Sequence, residues 1–288
     1  MIAITGATGH LGQATIQALL TQVPASEIIA VVRDPQKAAA LQAQGVQVRP
    51  GDYNDQASLT AAFAGADKVL LISTVETELE LRRQQHLNAI EAAKQAGVAH
   101  LIYTSVVNPS AESPFVASPG HAATEADLRA SGLSYTIFRN TLYLDLLPGL
   151  IGESTLPSGK YHSAAGKGKV SYALRSEIGE ALANAMTSSG HENQVYDIAP
   201  APAYSMRDVA QTLSEVSGQP VEYVAISNDD LKAALRQHHL PEPVVELLAG
   251  MTQAMEQDEF NLDSPAFEQL LGRKPTNLQQ FLASVYGK

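Results

Sequence analysis

The chain opens with Met1-Ile-Ala-Ile-Thr and runs at once into Gly6-Ala-Thr-Gly9-His-Leu-Gly12. A short apolar run, a triplet-spaced glycine motif and a helix-favouring segment over Leu11–Val23 read as strand, tight turn and helix. Glycine permits the turn, lets the backbone approach a pyrophosphate and lets the helix pack close to the strand. The helix start offers free N–H groups and a positive dipole end to phosphates. The spacing is G-x-x-G-x-x-G, not the standard G-x-G-x-x-G. The placement between strand and helix therefore carries the reading, which is a dinucleotide pocket.

The pattern continues along the chain. Apolar runs rich in Ile, Val and Leu occur at Ile2–Thr5, Ile28–Val32, Val46–Arg49, Lys68–Ile72, His100–Thr104 and Ser134–Phe138. They do not alternate with polar residues, as expected of strands buried on both faces of a parallel sheet. Helical stretches separate them. The fold class is therefore α/β, a Rossmann-like doubly wound parallel sheet with right-handed crossovers. Residues 1–150 form the nucleotide-binding unit in this reading. Residues 151–288 form a smaller α/β region, interleaved with the first through returning segments. Short strands are expected there at Val170–Ala173, Gln194–Ile198 and Val221–Ala225.

Composition removes several classes of function. The 288 residues carry 19 Lys plus Arg against 30 Asp plus Glu, a net charge of −11. No basic stripe stands out, so neither nucleic acid nor an anionic membrane is an expected partner. Cysteine is absent, which excludes disulfides, Cys-ligated metal and a thiol nucleophile. No metal site is expected. No basic segment followed by an apolar core opens the chain, and a cytoplasmic protein is expected.

The choice of cofactor falls at the end of the second strand, about 20 residues past the glycines. A carboxylate there binds the adenosine ribose of NAD, whereas an arginine pairs with the 2′-phosphate of NADP. Arg33 and Asp34 are both present. Asp34 precedes Pro35 and has a structural task as a helix N-cap. Arg33 has none beyond being a solvated charge, so the pair favours NADPH. Ligands in such sheets lie across the carboxyl ends of the strands. Tyr53 there can border the adenine, and Ser73 and Thr74 can bond the pyrophosphate or ribose. Ser105 and Asn140 end two further strands, although small polar residues also end strands for purely local reasons.

The segments MIAITGATGHLG, VPASEIIAVVRDPQKA, LIYTS and HAATEADLRASGLSYTIFRN resemble the NmrA-like atypical short-chain dehydrogenase/reductases. GHENQVYDIAP and LLGRKPTNLQQF extend the likeness over nearly the whole chain. Within that family the chain is most similar to the bacterial type 2 NAD(P)H:quinone oxidoreductases and the triphenylmethane reductases. The resemblance implies a cleft between the two regions. It also implies NADPH held at Gly6, Thr8, Gly9, His10, Leu11, Gly12 and Arg33. The family often has Gln where His10 stands, a departure that leaves the backbone contacts intact.

Most short-chain dehydrogenases use a Tyr-x-x-x-Lys pair on one helix face. Here the corresponding segment reads His121-Ala-Ala-Thr-Glu125. A glutamate in place of lysine raises rather than lowers a neighbour's pKa, which argues against the usual alcohol chemistry. Two readings remain open. One is direct hydride transfer to a quinone or dye-like acceptor that needs no strong general acid, with Asn140 and Tyr143 beside it. His121 is then either a proton donor or an ordinary exposed histidine. The other is a non-catalytic NADP(H)-binding redox sensor that acts through a protein partner. The chain-wide likeness to the reductases favours the enzyme. A monomer or homodimer is expected. Leu142, Tyr143, Leu144, Leu146 and Leu147 either line an apolar pocket or form helix core. The basic, glycine-rich segment Gly159–Lys169 is either a mobile flap or a plain loop.

Overall fold

The computed structural model describes residues 1–287. The first part of the chain alternates strand and helix. The elements are β1 (Ile2–Ile4), α1 (His10–Leu19), β2 (Ile28–Val32), α2 (Ala39–Ala43), β3 (Gln47–Pro50), α3 (Gln56–Phe63), β4 (Lys68–Leu71), α4 (Leu79–Gln95), β5 (His100–Val106), α5 (Ser118–Ala130) and β6 (Ser134–Asn140). Then come α6 (Leu147–Ile151), α7 (Thr155–Ser158), β7 (Lys160–Ser163), β8 (Lys169–Val170), α8 (Arg175–Thr187) and β9 (Gln194–Ile198). The chain closes with β10 (Tyr204–Ser205), α9 (Met206–Ser217), β11 (Glu222–Ala225), α10 (Asn228–Gln237), α11 (Glu242–Glu256), α12 (Ala266–Leu271) and α13 (Leu278–Tyr286).

Seven strands form one parallel sheet in the order β3-β2-β1-β4-β5-β6-β9. Alternate residues of each strand feed opposite cores. Ile2, Ile4, Ile28 and Phe138 pack on one face with Ile16 of α1 and Ile178 of α8. Ala3, Ile29, Leu101 and Tyr103 pack on the other with Phe63 of α3 and Ile90 of α4. A third core joins α6, α9, α11 and α13 beyond the carboxyl ends of the strands. The later half of the chain contributes to the large sheet, because β9 pairs with β6 and α8 packs on α1.

Three local expectations need correction. Of the expected strand at Val170–Ala173 only Val170 lies in a strand, at the end of β8. The Ser171 N–H donates to the Phe260 carbonyl and its hydroxyl to the Leu262 carbonyl, so its hydrogen bonds go to a neighbouring loop. The segment Gly159–Lys169 is neither flap nor plain loop throughout. Lys160–Ser163 pairs with Glu222–Ala225 as β7, with Tyr161 and Ser163 turned inward. Ser118 stands before Pro119 as Asp34 does before Pro35, a pattern that predicts an N-cap, but it is the first residue of its helix, and its hydroxyl accepts from the Ser110 N–H at 3.0 Å. Asp34 does cap its helical turn, accepting from the Gln36 N–H at 3.0 Å.

The close approach of α8 to α1 joins the two halves of the chain. A Cβ on Gly179 would stand 2.7 Å from the Thr15 nitrogen and 2.8 Å from the Ala14 carbonyl carbon. Backbone cannot yield as a flexible side chain can. Gly179→Val is expected to lower stability by roughly 1–3 kcal/mol through overpacking. Urea unfolding of both proteins without cofactor measures it, and an unchanged midpoint would contradict the helix contact.

Candidate active site

The sheet reverses its winding between β1 and β4, and a crevice opens at the carboxyl ends of the strands there. Its volume is ≈ 290 Å³. Gly6, Thr8 and Gly9 form one side, and Arg33 and Tyr53 close the far end. Ser73, Thr74 and Val75 form the lip after β4. Gly6 has φ +58°, a left-handed conformation that suits glycine. A Cβ on Gly12 would stand 2.4 Å from the Gly6 carbonyl oxygen. Close packing of turn on helix therefore requires glycine at both positions.

The start of α1 is uncapped by any side chain, and its first regular bond runs from the Gln13 N–H to the Gly9 carbonyl. The N–H groups of His10, Leu11 and Gly12 are thus left for a ligand. These three residues do not line the crevice with side chains: Leu11 is core and His10 is exposed. Among the described residues Arg33 has no carboxylate partner. An uncapped helix start, a backbone cradle that a Cβ would fill and a free guanidinium at the ribose end together fit NADPH. Tyr53 lines the crevice but spends its hydroxyl on Thr5 Oγ1, at 2.6 Å, and on the Ile72 carbonyl.

Ser73 also lines a second cavity, of ≈ 430 Å³. Its wall is largely apolar, with Val106, Phe115, Leu142, Leu146 and Met251. Ser105, Asn140, Tyr143 and His121 face it too. Ser105 therefore belongs to this cavity rather than to the cofactor crevice where it was expected, and its hydroxyl donates to Glu125 at 2.7 Å. The leucine cluster divides: Leu142, Tyr143 and Leu146 line the cavity, while Leu144 and Leu147 are core. Asn140 Oδ1 and Nδ2, Thr141 Oγ1 and Tyr172 Oη are buried without a partner. Such atoms are costly in a protein interior. All three residues border this cavity, so a ligand there can bond them. Tyr172 was not anticipated from the sequence, where it sits in a short run of ordinary strand character.

His121 is buried, 5% exposed, and is neither a surface histidine nor a free one. Arg82 Nη2 lies 2.9 Å from its Nε2 and Tyr103 Oη 2.7 Å from its Nδ1. Guanidinium can only donate, so Nε2 accepts and the ring proton sits on Nδ1, directed at Tyr103. Burial, and then the Arg82 charge, hold His121 well below its ordinary pKa. This differs from the expected proton donor, because a neutral ring with both nitrogens engaged has no proton to give the cavity. His86 repeats the arrangement. Its Nε2 accepts from the Thr74 N–H at 3.0 Å and its Nδ1 faces Thr124 Oγ1 at 2.8 Å.

Arg82 joins these pieces. Its Nη1 donates to the carbonyls of Thr74 and Glu76 at 2.7 and 2.8 Å. The crevice lip is thereby tied to α5. Among the described residues no carboxylate pairs with it, and desolvation lowers its pKa. Glu125 is also buried. Burial alone would raise its pKa, but bonds from Arg139, Ser105 and Arg129 hold it below the ordinary carboxylate value. It stays ionised and anchors α5 to β5 and β6.

The buried imidazoles make stability depend on pH in a definite direction. Burial, then Arg82, pushes His86 down to about 3. Below pH 6.5 the unfolded chain binds protons that the folded one does not, so stability is lost as pH falls. Each such imidazole contributes a slope approaching about 1.4 kcal/mol per pH unit. Carboxylates contribute mainly below pH 4.5, so urea unfolding between pH 6.5 and 5 isolates the effect. His86→Gln should give a shallower slope than the parent protein. Equal slopes would mean that His86 is not buried as a neutral ring.

Three comparisons bear on this geometry. The NmrA-like family model matches residues 1–282. Quinone oxidoreductase 2 of Escherichia coli (strain K12) is 39% identical over 286 residues, spanning 99% of each chain. The structure of Citrobacter sp. triphenylmethane reductase complexed with NADP(H) superposes with a TM-score of 0.94 at 39% identity, covering 99% of this chain and 100% of that one. The NADPH complex of an Escherichia coli NADPH-dependent quinone oxidoreductase superposes equally well, with a TM-score of 0.94 at 39% identity over 100% of both chains. With the glycine turn, the reversed sheet and the paired cavities already in place, this chain belongs to the NmrA-like family.

Proposed function

We propose that the protein is an NADPH-dependent reductase that delivers hydride directly to a quinone or a similar conjugated, dye-like acceptor. One observation carries the reading: Ser73 belongs to both cavities. A dinucleotide lying over the glycine turn ends at Ser73, where the apolar cavity begins. When bound, NADPH supplies the hydride. The protein supplies position.

Gly6, Thr8 and Gly9, with the N–H groups of His10, Leu11 and Gly12, hold the phosphates. Arg33 takes the 2′-phosphate, Tyr53 borders the adenine, and Ser73 and Thr74 hold the ribose side. Across the junction, Asn140 Nδ2 and Tyr172 Oη donate to an acceptor carbonyl, and Tyr143 flanks it. Burial raises the Tyr172 pKa well above 10, so its hydroxyl keeps the proton it donates. A quinone that takes up hydride becomes the hydroquinone monoanion and needs one further proton. His121 has none to give and Glu125 is ionised, so that proton comes from water. His121 and Arg82 act as positioning residues that hold the crevice lip against α5.

The test is oxidation of NADPH and NADH with a panel of quinones, a triarylmethane dye and simple ketones. Turnover is expected with quinone or dye and not with ketones. Cofactor binding without turnover on any acceptor would restore the redox-sensor reading. In the same assay Arg33→Ala should raise the KM for NADPH roughly tenfold, the size of one charge-assisted contact at an exposed site. The KM for NADH should hardly change.

Tyr172→Phe is expected to have opposite effects on activity and stability. It removes a donor to the acceptor, so kcat/KM should fall by up to roughly tenfold. It also removes a buried hydroxyl that lacks a partner in the free protein, so urea stability should be equal or higher. Loss of both together would indicate a structural tyrosine instead.

A further inference from the structure

The acceptor cavity abuts another. A pocket of ≈ 120 Å³ lies behind it and shares Gly149, Leu150, Leu248 and Met251 with it. Leu231 and Leu235 of α10, with Tyr161 and Met255, complete its apolar wall. Its polar side chains are bonded within the chain or exposed. The Thr252 hydroxyl donates to the Ala249 carbonyl at 3.0 Å, the Ser163 hydroxyl accepts from the Ala165 N–H at 3.3 Å, and His162 is exposed.

Two further observations concern this passage. Gly149 lies within the short helix α6, and a Cβ built on it meets no atom within 4 Å. Its backbone φ is not positive. Alanine would favour the helix there by up to about 1 kcal/mol, so neither packing nor turn geometry explains the glycine. Gly149 is exposed and lines both cavities, so a side chain there would stand where they meet. Helix α10 is the second. It buries no residue, and its Leu231 and Leu235 remain half-buried over the outer pocket. Ion pairs Lys232–Glu246 and Arg236–Glu242 join it to α11. It is an apolar wall with nothing of this chain packed fully against it.

We propose that the acceptor is a tailed quinone: the flat ring sits beside Ser73, and a branched hydrocarbon tail passes Gly149 into the pocket under α10. The inference rests on the quinone-reductase reading and names the substrate class within it. The outer pocket suits an alkyl or prenyl unit because its wall is mostly apolar and it shares four lining residues with the ring site.

The test uses a series of dimethoxy-methyl-benzoquinones carrying no tail, one prenyl unit or two. Both kcat/KM and the Kd of the cofactor-free protein are measured. The first prenyl unit should improve both by roughly tenfold or more, as expected of hydrocarbon entering an apolar pocket. Gly149→Leu should reduce the ratio of tailed to tailless quinone to near unity. Leu235→Gln should reduce that ratio while leaving the tailless quinone unaffected, and α10 buries nothing whose loss would unfold the protein. No gain from the tail in the parent protein would overturn the proposal, as would a gain that survives both substitutions. If no quinone turns over, the reductase reading fails, and the Kd series still decides whether the outer pocket takes the tail.

Discussion

Everything at the site depends on the parallel alignment of seven strands whose order reverses between β1 and β4. Parallel strands put all their carboxyl ends at one edge. Reversal sends the neighbouring connections to opposite faces, and the gap between them cannot be filled by either. The glycine turn enters that gap from β1, and the Ser73–Val75 lip borders it from β4. The third core, built by α6, α9, α11 and α13, covers the strand ends farther along and encloses the apolar cavity. One topological feature thus yields a polar crevice and an apolar pocket with Ser73 between them.

A second constraint holds this arrangement still. Arg82 is a buried cation without a carboxylate, stabilised by two backbone carbonyls and one imidazole nitrogen. A buried charge demands such partners, and they come from the crevice lip and from α5. Movement of either would leave the guanidinium less satisfied. His86 and Thr124 make a parallel tie between the Thr74 N–H and α5. The helix that in other short-chain dehydrogenases presents a tyrosine and a lysine here presents His121 and Glu125, both spent on internal bonds. Both side chains tie α5 to its neighbours.

The acceptor cavity shows the opposite economy. Asn140, Thr141 and Tyr172 keep buried polar atoms unpaired, although an apolar wall would be more stable without them. Unsatisfied donors in a pocket that meets the cofactor crevice are what a carbonyl acceptor requires. Their burial lowers stability, and the proposed acceptor would satisfy them.

Much of this was legible in the chain itself. The strand Ile28–Val32 lies where its apolar run places it, because a doubly buried strand admits little but small and branched apolar residues, and the strand Gln194–Ile198 also lies where expected. The glycine turn and the capping role of Asp34 could be read because backbone geometry and capping are local. Tyr172, the pairing of β7 with β11 and the environment of His121 could not. β11 lies where a strand was expected, but its short partner β7 carries too little periodicity to stand out, and Tyr172 gains meaning only because it lines one cavity with Asn140. His121 lies 39 residues from Arg82, whose guanidinium fixes its tautomer. Sequence therefore determined the fold class, the cofactor and the family. Tertiary structure alone decided which histidines are buried, which tyrosine is unpaired and which cavities meet, because burial and hydrogen-bond partnership arise only when distant segments are brought together.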